Sequence, residues 1–197
     1  MDAANDASAR GMTPRMELSP ISTQRLMLRP LTPADIPAIF GIFSNPAVMR
    51  YWSSSHWTEM VQAEKKMASV LEGYASGEHF TYAIIRSEDN RLIGTLSLFN
   101  IVAQSRRADI GYALGEPYWG AGYMHEALTA WVRHAFETLE LNRLEADIDP
   151  RNEGSAKSLE RQGFLREGFL RERWIVGGQV SDTYLYGLIA RDWHARL

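Results

Sequence analysis

The strongest constraint on the fold is a strand, helix, strand order in the second half of the chain. Residues 107–114 carry a strand pattern, residues 123–139 carry apolar side chains at helical spacing, and residues 143–149 return to a strand pattern. Two strands joined by a helix need a crossover connection, which makes them parallel within one sheet. The chain is therefore predicted to contain a parallel strand pair.

The remaining strand patterns have short connections, which indicates antiparallel pairing. They cover residues 26–29, 80–86, 91–100, 164–176 and 181–190. Helical patterns cover residues 32–43, 57–74, 123–139 and 155–162. In the second helix, Thr58 is the predicted N-cap and Gly73 lies near the predicted end. The predicted fold class is α/β (α+β): a mixed sheet, mostly antiparallel around one parallel pair, flanked by about four helices.

Length and composition limit the architecture and the chemistry. A chain of 197 residues with 45% hydrophobic residues can bury one core of ordinary size. Residues 21–197 are predicted to form a single domain after a flexible, polar tail over residues 1–20. The sequence contains no cysteine, which excludes disulfides, thiolate metal sites and a cysteine nucleophile. No metal is expected.

Charge and hydropathy argue against two kinds of partner. The net charge is -3 and the basic residues are dispersed along the chain, so a nucleic-acid footprint is not indicated. The sequence has neither the apolar run of a signal peptide at its start nor a stretch approaching the roughly 20 apolar residues of a membrane span. A cytoplasmic protein without a membrane partner is expected.

A glycine-rich turn precedes the long helix, with Gly120 and Gly122 on either side of Ala121. Backbone N–H groups at a helix start have no intrahelical partner, and glycines let these groups converge on an anion that the helix dipole also favours. The turn predicts a pyrophosphate site made of main chain. The alternative is a plain strand-to-helix connection in which the glycines only relieve strain. A P-loop is excluded, because its Lys-Ser/Thr pair is missing.

Five short blocks between about residues 22 and 190 form an ordered series. They are Thr23-Gln24-Arg25-Leu26-Met27-Leu28-Arg29-Pro30, Ile110-Gly111-Tyr112 with Leu114, Tyr118-Trp119-Gly120-Ala121-Gly122-Tyr123 with Glu126-Ala127, Asn152 with Ser155, and Gly163-Phe164 followed by Glu167-Gly168. The series resembles the GNAT N-acetyltransferases, in particular their RimJ/RimL branch of ribosomal-protein N-terminal acetyltransferases. The resemblance implies a strongly bent sheet in which the central parallel strands splay apart and hold the pantetheine arm of acetyl-CoA between them.

The resemblance also implies which residues contact the cofactor. Backbone groups near Tyr112 and Leu114 would pair with the pantetheine amides, and Asn152 and Ser158 would contact the same arm. The pyrophosphate would be held by Trp119, Gly120, Ala121, Gly122, Tyr123 and Met124. The sequence departs from the superfamily pattern at both ends of this turn, with Trp119 in place of Arg or Gln and Met124 in place of Gly or Ala.

Acyl transfer to an amine needs a base for the amine and an acid for the departing thiolate. Asp109 and Asp147, on the two parallel strands, are the candidate bases. Strand alternation places Asp147 on one face with Glu145 and Asp149. A solvated or helix-capping role is the alternative for both candidates. Weaker candidates are His56, His79 and Glu172.

The acid is implied by the resemblance. Many GNAT enzymes carry a tyrosine seven residues after the asparagine that matches Asn152, and this sequence has Leu159 there. Members of the RimL branch use a serine three residues after that asparagine, which here is Ser155. The alternative role for Ser155 is to cap its helix.

The predicted function is direct transfer of an acetyl group from acetyl-CoA to a primary amine, with a protein N-terminal α-amine as one candidate. An aromatic cluster could enclose a flat or cationic amine, or could form core or dimer interface. It comprises Tyr51, Trp52, His56, Trp57 and Trp174. The alternatives are acetylation of a small-molecule amine (amino acid, polyamine or aminoglycoside) and a non-catalytic acyl-CoA-binding module. Dimers are common in the family, which leaves a homodimer open.

Overall fold

The computed structural model describes residues 18–196. The strands are β1 (Ile21–Ser22), β2 (Leu26–Pro30), β3 (Phe80–Arg86), β4 (Arg91–Val102), β5 (Arg107–Leu114), β6 (Arg143–Ile148), β7 (Leu165–Val176) and β8 (Gln179–Ile189). The α-helices are α1 (Ile36–Phe43), α2 (Pro46–Met49), α3 (Met60–Ser76), α4 (Tyr123–Arg133), α5 (Glu153–Gln162) and α6 (Ala190–His194). Residues 1–17 and residue 197 lie outside the described residues, so the tail over residues 1–20 stays a prediction.

The four helices of eight or more residues are the four that the sequence predicted. The short elements β1, α2 and α6 were not predicted, because so few residues carry no periodic pattern. Within residues 18–196, no helix combines the length and the low polarity needed to cross a membrane.

All eight strands belong to one sheet with the order β1-β2-β3-β4-β5-β6-β8-β7. Neighbouring strands pair antiparallel, except that β5 and β6 are parallel. Helix α4 makes the crossover between these two strands, as a parallel connection requires. The mixed sheet with one parallel pair, predicted from the sequence, is confirmed.

The sheet separates two hydrophobic cores. Tyr82 and Ile84 of β3 pack in the core that includes α4 and α5, where the Tyr82 ring lies 4.8 Å from that of Trp131. Ala83 and Ile85 pack in the second core with α1, α2 and α3. Because successive side chains of a strand point to opposite faces, the two groups of helices cover opposite faces of the sheet.

Helix α3 has different ends from those predicted. It begins after Glu59 instead of Thr58, because the Gln62 side chain accepts a hydrogen bond from the Glu59 N–H group at 3.0 Å. It ends at Gly77, which has a left-handed φ of 77°, and not near Gly73. Both ends are set by local signals, the capping box of Glu59 and Gln62 and the left-handed Gly77, and Thr58 and Gly73 are the neighbouring signals that the prediction took instead.

The later helices also differ in detail. Helix α4 is followed by a π-helical turn, His134–Thr138, so the predicted single helix over 123–139 changes its hydrogen bonding part way. Asn152 is the N-cap of α5, since its Oδ1 accepts the N–H of Ser155 at 3.1 Å. The interpretation of Ser155 as the cap is therefore wrong, and its hydroxyl remains for other contacts.

Candidate functional site

The parallel strands β5 and β6 separate part way along their length. They pair at Arg107, Ala108 and Asp109 of β5, whereas β5 continues to Leu114 and β6 to Ile148. Beyond Asp109 their facing backbone edges no longer bond to each other. Such an edge can accept an extended, amide-containing ligand as it would another strand. This notch agrees with the splayed pair that the resemblance implied.

The turn before α4 has a backbone that requires glycine. Gly120 and Gly122 have φ angles of 74° and 81°, in the left-handed region. A Cβ atom at Gly120 would meet nothing within 4 Å, so the turn faces open space. The Trp119 indole donates to the Leu114 carbonyl at 2.7 Å. Trp119 therefore ties the turn to the end of β5, and a pantetheine amide would compete with it for that carbonyl.

Arg25 holds the other side of the turn. Its Nη1 donates to the Ala121 carbonyl at 3.0 Å, and its Nε donates to Glu126 at 2.7 Å. The guanidinium also lies over the Tyr123 ring, 4.6 Å from the centroid. Arg25 therefore places a cation beside the predicted pyrophosphate site.

Glu126 fixes the position of Arg25. Burial raises the pKa of Glu126, but hydrogen bonds from Thr23 and from the Arg25 backbone and side chain lower it by more, so that it stays ionised. Arg25 was not among the site residues predicted from the sequence, where it occurred only within the block Thr23 to Pro30. Arg25 and Glu126 are about 100 residues apart, and their contact leaves no local pattern that could have revealed it.

A hydroxyl pair joins the two sides of the notch. Ser155, on α5, donates from Oγ to the Tyr112 hydroxyl at 2.9 Å, and that hydroxyl donates to the Ser155 carbonyl at 3.2 Å. Burial raises the pKa of Tyr112 well above its usual value, although the hydrogen bond with Ser155 opposes this. Tyr112 therefore stays protonated at neutral pH, beside the hydroxyl of Ser155, which is the predicted acid.

The other predicted residues of α5 have local roles. Asn152 uses its Oδ1 to cap the helix, which leaves its amide nitrogen for a ligand. The half-buried Ser158 donates to the Gly154 carbonyl at 2.8 Å. Leu159 is fully buried in the main core, so this position contributes packing and offers no proton donor.

Asp109 lies at the base of the notch, the last β5 residue paired to β6. Its carboxylate accepts from Asn100 at 2.8 Å, and Arg107 lies 3.9 Å away. Burial raises the pKa of Asp109, with further contributions from the negative charges of Glu145 and Asp147. A partly buried carboxylate with a raised pKa is a suitable proton acceptor near neutral pH.

Asp147 is more heavily engaged. Its carboxylate accepts from Thr183 Oγ1 at 2.5 Å and from the Trp174 indole at 3.2 Å, and Arg173 lies 3.5 Å away. As alternation predicted, Asp147 lies on the face of β6 opposite to buried Ala146. Three donors from β7 and β8 occupy the Asp147 carboxylate, which leaves less room for an amine to approach it than at Asp109. Asp109 is therefore the better placed of the two candidate bases.

A cavity of about 400 Å³ lies between the sheet and helices α1 to α3, and it reaches β5 at Gly111 and Tyr112. Two of the predicted aromatic residues, Trp52 and Trp57, line it and pack on Phe43 with ring centroids 5.3 and 4.8 Å apart. Tyr51 and Trp174 are not among the lining residues; the former lies beside Arg50 and Arg151, and the latter beside Arg173. The aromatic cluster is thus divided between two places.

The three weaker candidate bases lie in different places. His79 lines the cavity, whereas His56 and Glu172 are exposed to solvent away from it. Glu172 has a positive φ of 53° in an irregular part of β7, where its N–H donates to Asp182. Of the three, only His79 remains close to the candidate site.

Known proteins resemble this chain over most of its length. A family model described as an acetyltransferase (GNAT) domain matches residues 25–165. The uncharacterized N-acetyltransferase p20 of Bacillus licheniformis is 31% identical over 171 residues, covering 87% of this chain and 96% of that protein. The ribosomal protein uS5-alanine N-acetyltransferase of Escherichia coli (strain K12) is 30% identical over 131 residues, covering 66% of this chain and 68% of that protein.

A solved structure shows the same fold. Mycobacterium smegmatis RimJ, in complex with CoA-disulfide, aligns with a TM-score of 0.82 over 91% of each chain, at 23% identity. The two proteins therefore share the arrangement of sheet and helices although fewer than a quarter of the aligned residues are identical.

Proposed function

The chain belongs to the GNAT N-acetyltransferase family, and we propose that it transfers an acetyl group directly from acetyl-CoA to a primary amine. The observation that carries the proposal is that the strand opening, the glycine turn and the Ser155–Tyr112 pair surround one notch. When bound, acetyl-CoA supplies an acetyl group activated as a thioester. The residues of the chain bind it, take a proton from the amine and assist the departing thiolate.

The residues of the notch fit this cosubstrate. The turn offers backbone N–H groups at the start of α4 and open space beside Gly120, and Arg25 adds a positive charge. Anions bind well at such a helix start. The free edge of β5 near Tyr112 and Leu114 suits the amides of the pantetheine arm, with the amide nitrogen of Asn152 and the hydroxyl of Ser158 on α5 as further contacts.

Ser155 is the group proposed to assist the thiolate. In the structure it donates to Tyr112, but the same 2.9 Å separation allows Tyr112 to donate to Ser155 Oγ instead. The Ser155 proton can then point at the sulfur atom. Because Tyr112 remains protonated, it supports this hydrogen bond without becoming charged.

Asp109 is the proposed base, acting on the amine directly or through a water molecule. An α-amine with a pKa near 8 costs about 1 kcal/mol to deprotonate at pH 7, and a lysine side chain with a pKa near 10.4 costs about 4.6 kcal/mol. A partly buried carboxylate such as Asp109 is a strong enough base to deprotonate the α-amine but not the lysine side chain. This difference favours an α-amine as the acceptor.

A protein N-terminal α-amine is the first acceptor to consider. The Escherichia coli relatives are named as a ribosomal protein uS5-alanine N-acetyltransferase and a ribosomal-protein-serine acetyltransferase. The names give alanine and serine as the acceptor residues, and because neither side chain contains an amine, the α-amine is the nitrogen that such a residue offers for acetylation. We therefore propose an α-amine acceptor for this chain.

An acceptor panel tests the proposed function. Short peptides with a free α-amine should release CoA from acetyl-CoA at pH 7 about 100-fold faster than the same peptides blocked at the α-amine but carrying a lysine. The measurement is thiol release, with acetylation of the peptide confirmed by mass spectrometry. Release at one rate for every compound, including buffer alone, would contradict the proposal and favour a non-catalytic CoA-binding protein.

The variant Asp109→Asn tests the base. We expect kcat at pH 7 to fall about 10-fold, less than for many general bases because water can partly replace Asp109 for a weakly basic amine. In the wild type, kcat/KM should rise with pH through the pKa of Asp109, above the usual aspartate range, since only the carboxylate accepts a proton. In Asp109→Asn, kcat/KM should rise with pH only through the pKa of the acceptor amine.

Stability provides the control for this variant. A carboxyl whose pKa is raised by folding stabilises the fold below its unfolded pKa and loses that contribution as pH rises through the folded pKa. Asp109→Asn should therefore be at least as stable as the wild type at pH 7. The matched variant Asp147→Asn should keep the acidic limb, shifted toward lower pH because it removes a charge that raises the pKa of Asp109; if it loses the limb instead, Asp147 is the base.

A further inference from the structure

The cavity beside β5 extends away from the notch toward α3. At one end it reaches Gly111 and Tyr112, where the Phe99 ring would lie 3.1 Å from a Cβ atom at Gly111. At the other end it reaches Lys66 on α3 and His79 at the start of β3. A molecule in this cavity can therefore present one group to the notch and a second group to α3.

Most of the cavity wall is apolar. The side chains of Phe43, Trp52 and Trp57 form an aromatic wall, and Met49 and Ile39 extend it. Among residues 18–196, no aspartate or glutamate lines the cavity. The wall thus suits an apolar or aromatic body and offers no partner to a cationic one.

Lys66 is the only lysine or arginine that the described part of the chain contributes to this lining. Its side chain is half-buried, and burial lowers its pKa. Within residues 18–196 it forms neither an ion pair nor a hydrogen bond; Lys65 beside it points to solvent. A cation withdrawn from water without a partner is unfavourable, and an anion that enters the cavity would relieve this cost.

A second polar group in the same lining lacks a partner. The Nε2 atom of His79 is buried and makes no hydrogen bond among the described residues. The ring is held against the backbone of α3, where a Cβ atom at Gly73 would lie 2.4 Å from it. Because Nε2 is covered by α3, Lys66 is, of the two groups, the one that a ligand in the cavity can reach.

We propose that the acceptor carries a carboxylate in addition to its amine, and that Lys66 binds this carboxylate while Trp52 and Trp57 enclose the apolar part. The amine then lies toward Gly111 and Asp109. This inference rests on the proposed function, because it names the acceptor class of the same site. It excludes polyamines and aminoglycosides, whose additional positive charges would face Lys66 without a carboxylate to balance them.

The first test compares acceptors that differ only in the carboxylate. The dipeptide Ala-Phe, whose amine and carboxylate lie at opposite ends, should have a kcat/KM at least about 10-fold above that of its C-terminal amide, with most of the difference in KM, because a hydrogen bond to a charged group contributes this much. A second pair consists of Glu-initiated and Gln-initiated peptides, both amidated at the C-terminus. Faster acetylation of the Glu-initiated peptide would indicate a protein acceptor instead of a small-molecule one. Spermidine should be a poor acceptor.

The second test removes the charge from Lys66. Lys66→Met keeps the length of the side chain and should raise KM for the carboxylate acceptor about 10-fold, with less than about a twofold change for the matched amide. Lys66→Arg should restore most of the loss. Lys65→Met is the matched control, and it should behave as the wild type with both acceptors.

The outcomes separate this inference from the proposed function. Absence of acceptor-dependent CoA release with every amine would contradict the proposed function itself. Efficient turnover with no preference for carboxylates, a preference for spermidine, or equal losses for acid and amide in Lys66→Met would overturn the inference and leave acetyl transfer intact. The comparison of acceptors in the wild type needs no variant, so it stands even if Lys66→Met folds poorly.

Discussion

Replacement of Gly122 by aspartate is expected to lower the affinity for acetyl-CoA about 100-fold, equivalent to about 2.7 kcal/mol. A non-glycine residue at a φ of 81° costs about 1 kcal/mol. Each pair of like charges about 4 Å apart adds about 1 kcal/mol or more, even when well hydrated, and a pyrophosphate carries at least two charges. A Cβ atom at this position would also lie 3.5 Å from Arg25 Nη2, so the new carboxylate would draw that cation away from the ligand.

Two variants separate charge from backbone strain. Gly122→Asn has almost the same shape, tolerates a left-handed φ and has no charge, and it should lose at most about 10-fold in affinity. Gly178→Asp places the same charge at a φ of 80° in the distant β7–β8 turn, and it should bind as the wild type does. Calorimetric titration gives the affinities. Wild-type affinity in both Gly122 variants would mean that the pyrophosphate binds elsewhere.

The variant Ser155→Ala is expected to lower kcat about 100-fold while changing the affinity for CoA less than about threefold. A hydrogen bond to charge that develops in the transition state contributes about this much, and Ser155 is the only proposed donor to the departing thiolate. Removing the hydroxyl also leaves the buried Tyr112 hydroxyl without its donor. Pre-steady-state measurement of CoA release at saturating acceptor reports the loss directly.

Folding of α5 should survive this change, because Asn152 and not Ser155 caps the helix. Ser155→Thr keeps a hydroxyl and should recover part of the rate. Tyr112→Phe removes only the supporting group, and it should cost less than Ser155→Ala, about 10-fold. A parallel fall in CoA affinity and kcat in Ser155→Ala would assign Ser155 to cofactor binding and refute its role at the thiolate.

Much of the architecture could be predicted from the sequence, because it depends on local periodicity. The strand pattern of residues 107–114, the helix that starts at Tyr123 and the return to a strand at Arg143 predict a parallel pair, and the structure confirms it. The residue at which β5 and β6 separate could not be predicted from local sequence patterns, because it depends on sheet twist and on the packing of α4 and α5. The change to a π-helical turn after Arg133 likewise carries no local signal.

The candidate site divides in the same way. The glycines at 120 and 122 marked the turn, since only glycine adopts their φ angles at little cost. Arg25, which supplies a charge beside that turn, was overlooked as a site residue, because its partner Glu126 is distant in the sequence. The choice between Asp109 and Asp147 also needed the structure, since both sit on strands but only Asp147 is surrounded by three donors.

The sequence by itself determined the order of the longer strands and helices and the position of the glycine-rich turn before α4, because each depends on residue type at fixed local spacing. It also has Leu159 where the family resemblance implied a tyrosine. Only the tertiary structure decided that Ser155 contacts Tyr112, that Arg25 binds the turn and that Lys66, at one end of a cavity, has no ion-pair partner within residues 18–196. Those contacts arise when distant segments pack together. Their energies depend on burial and on the charges nearby, which spacing along a chain does not encode.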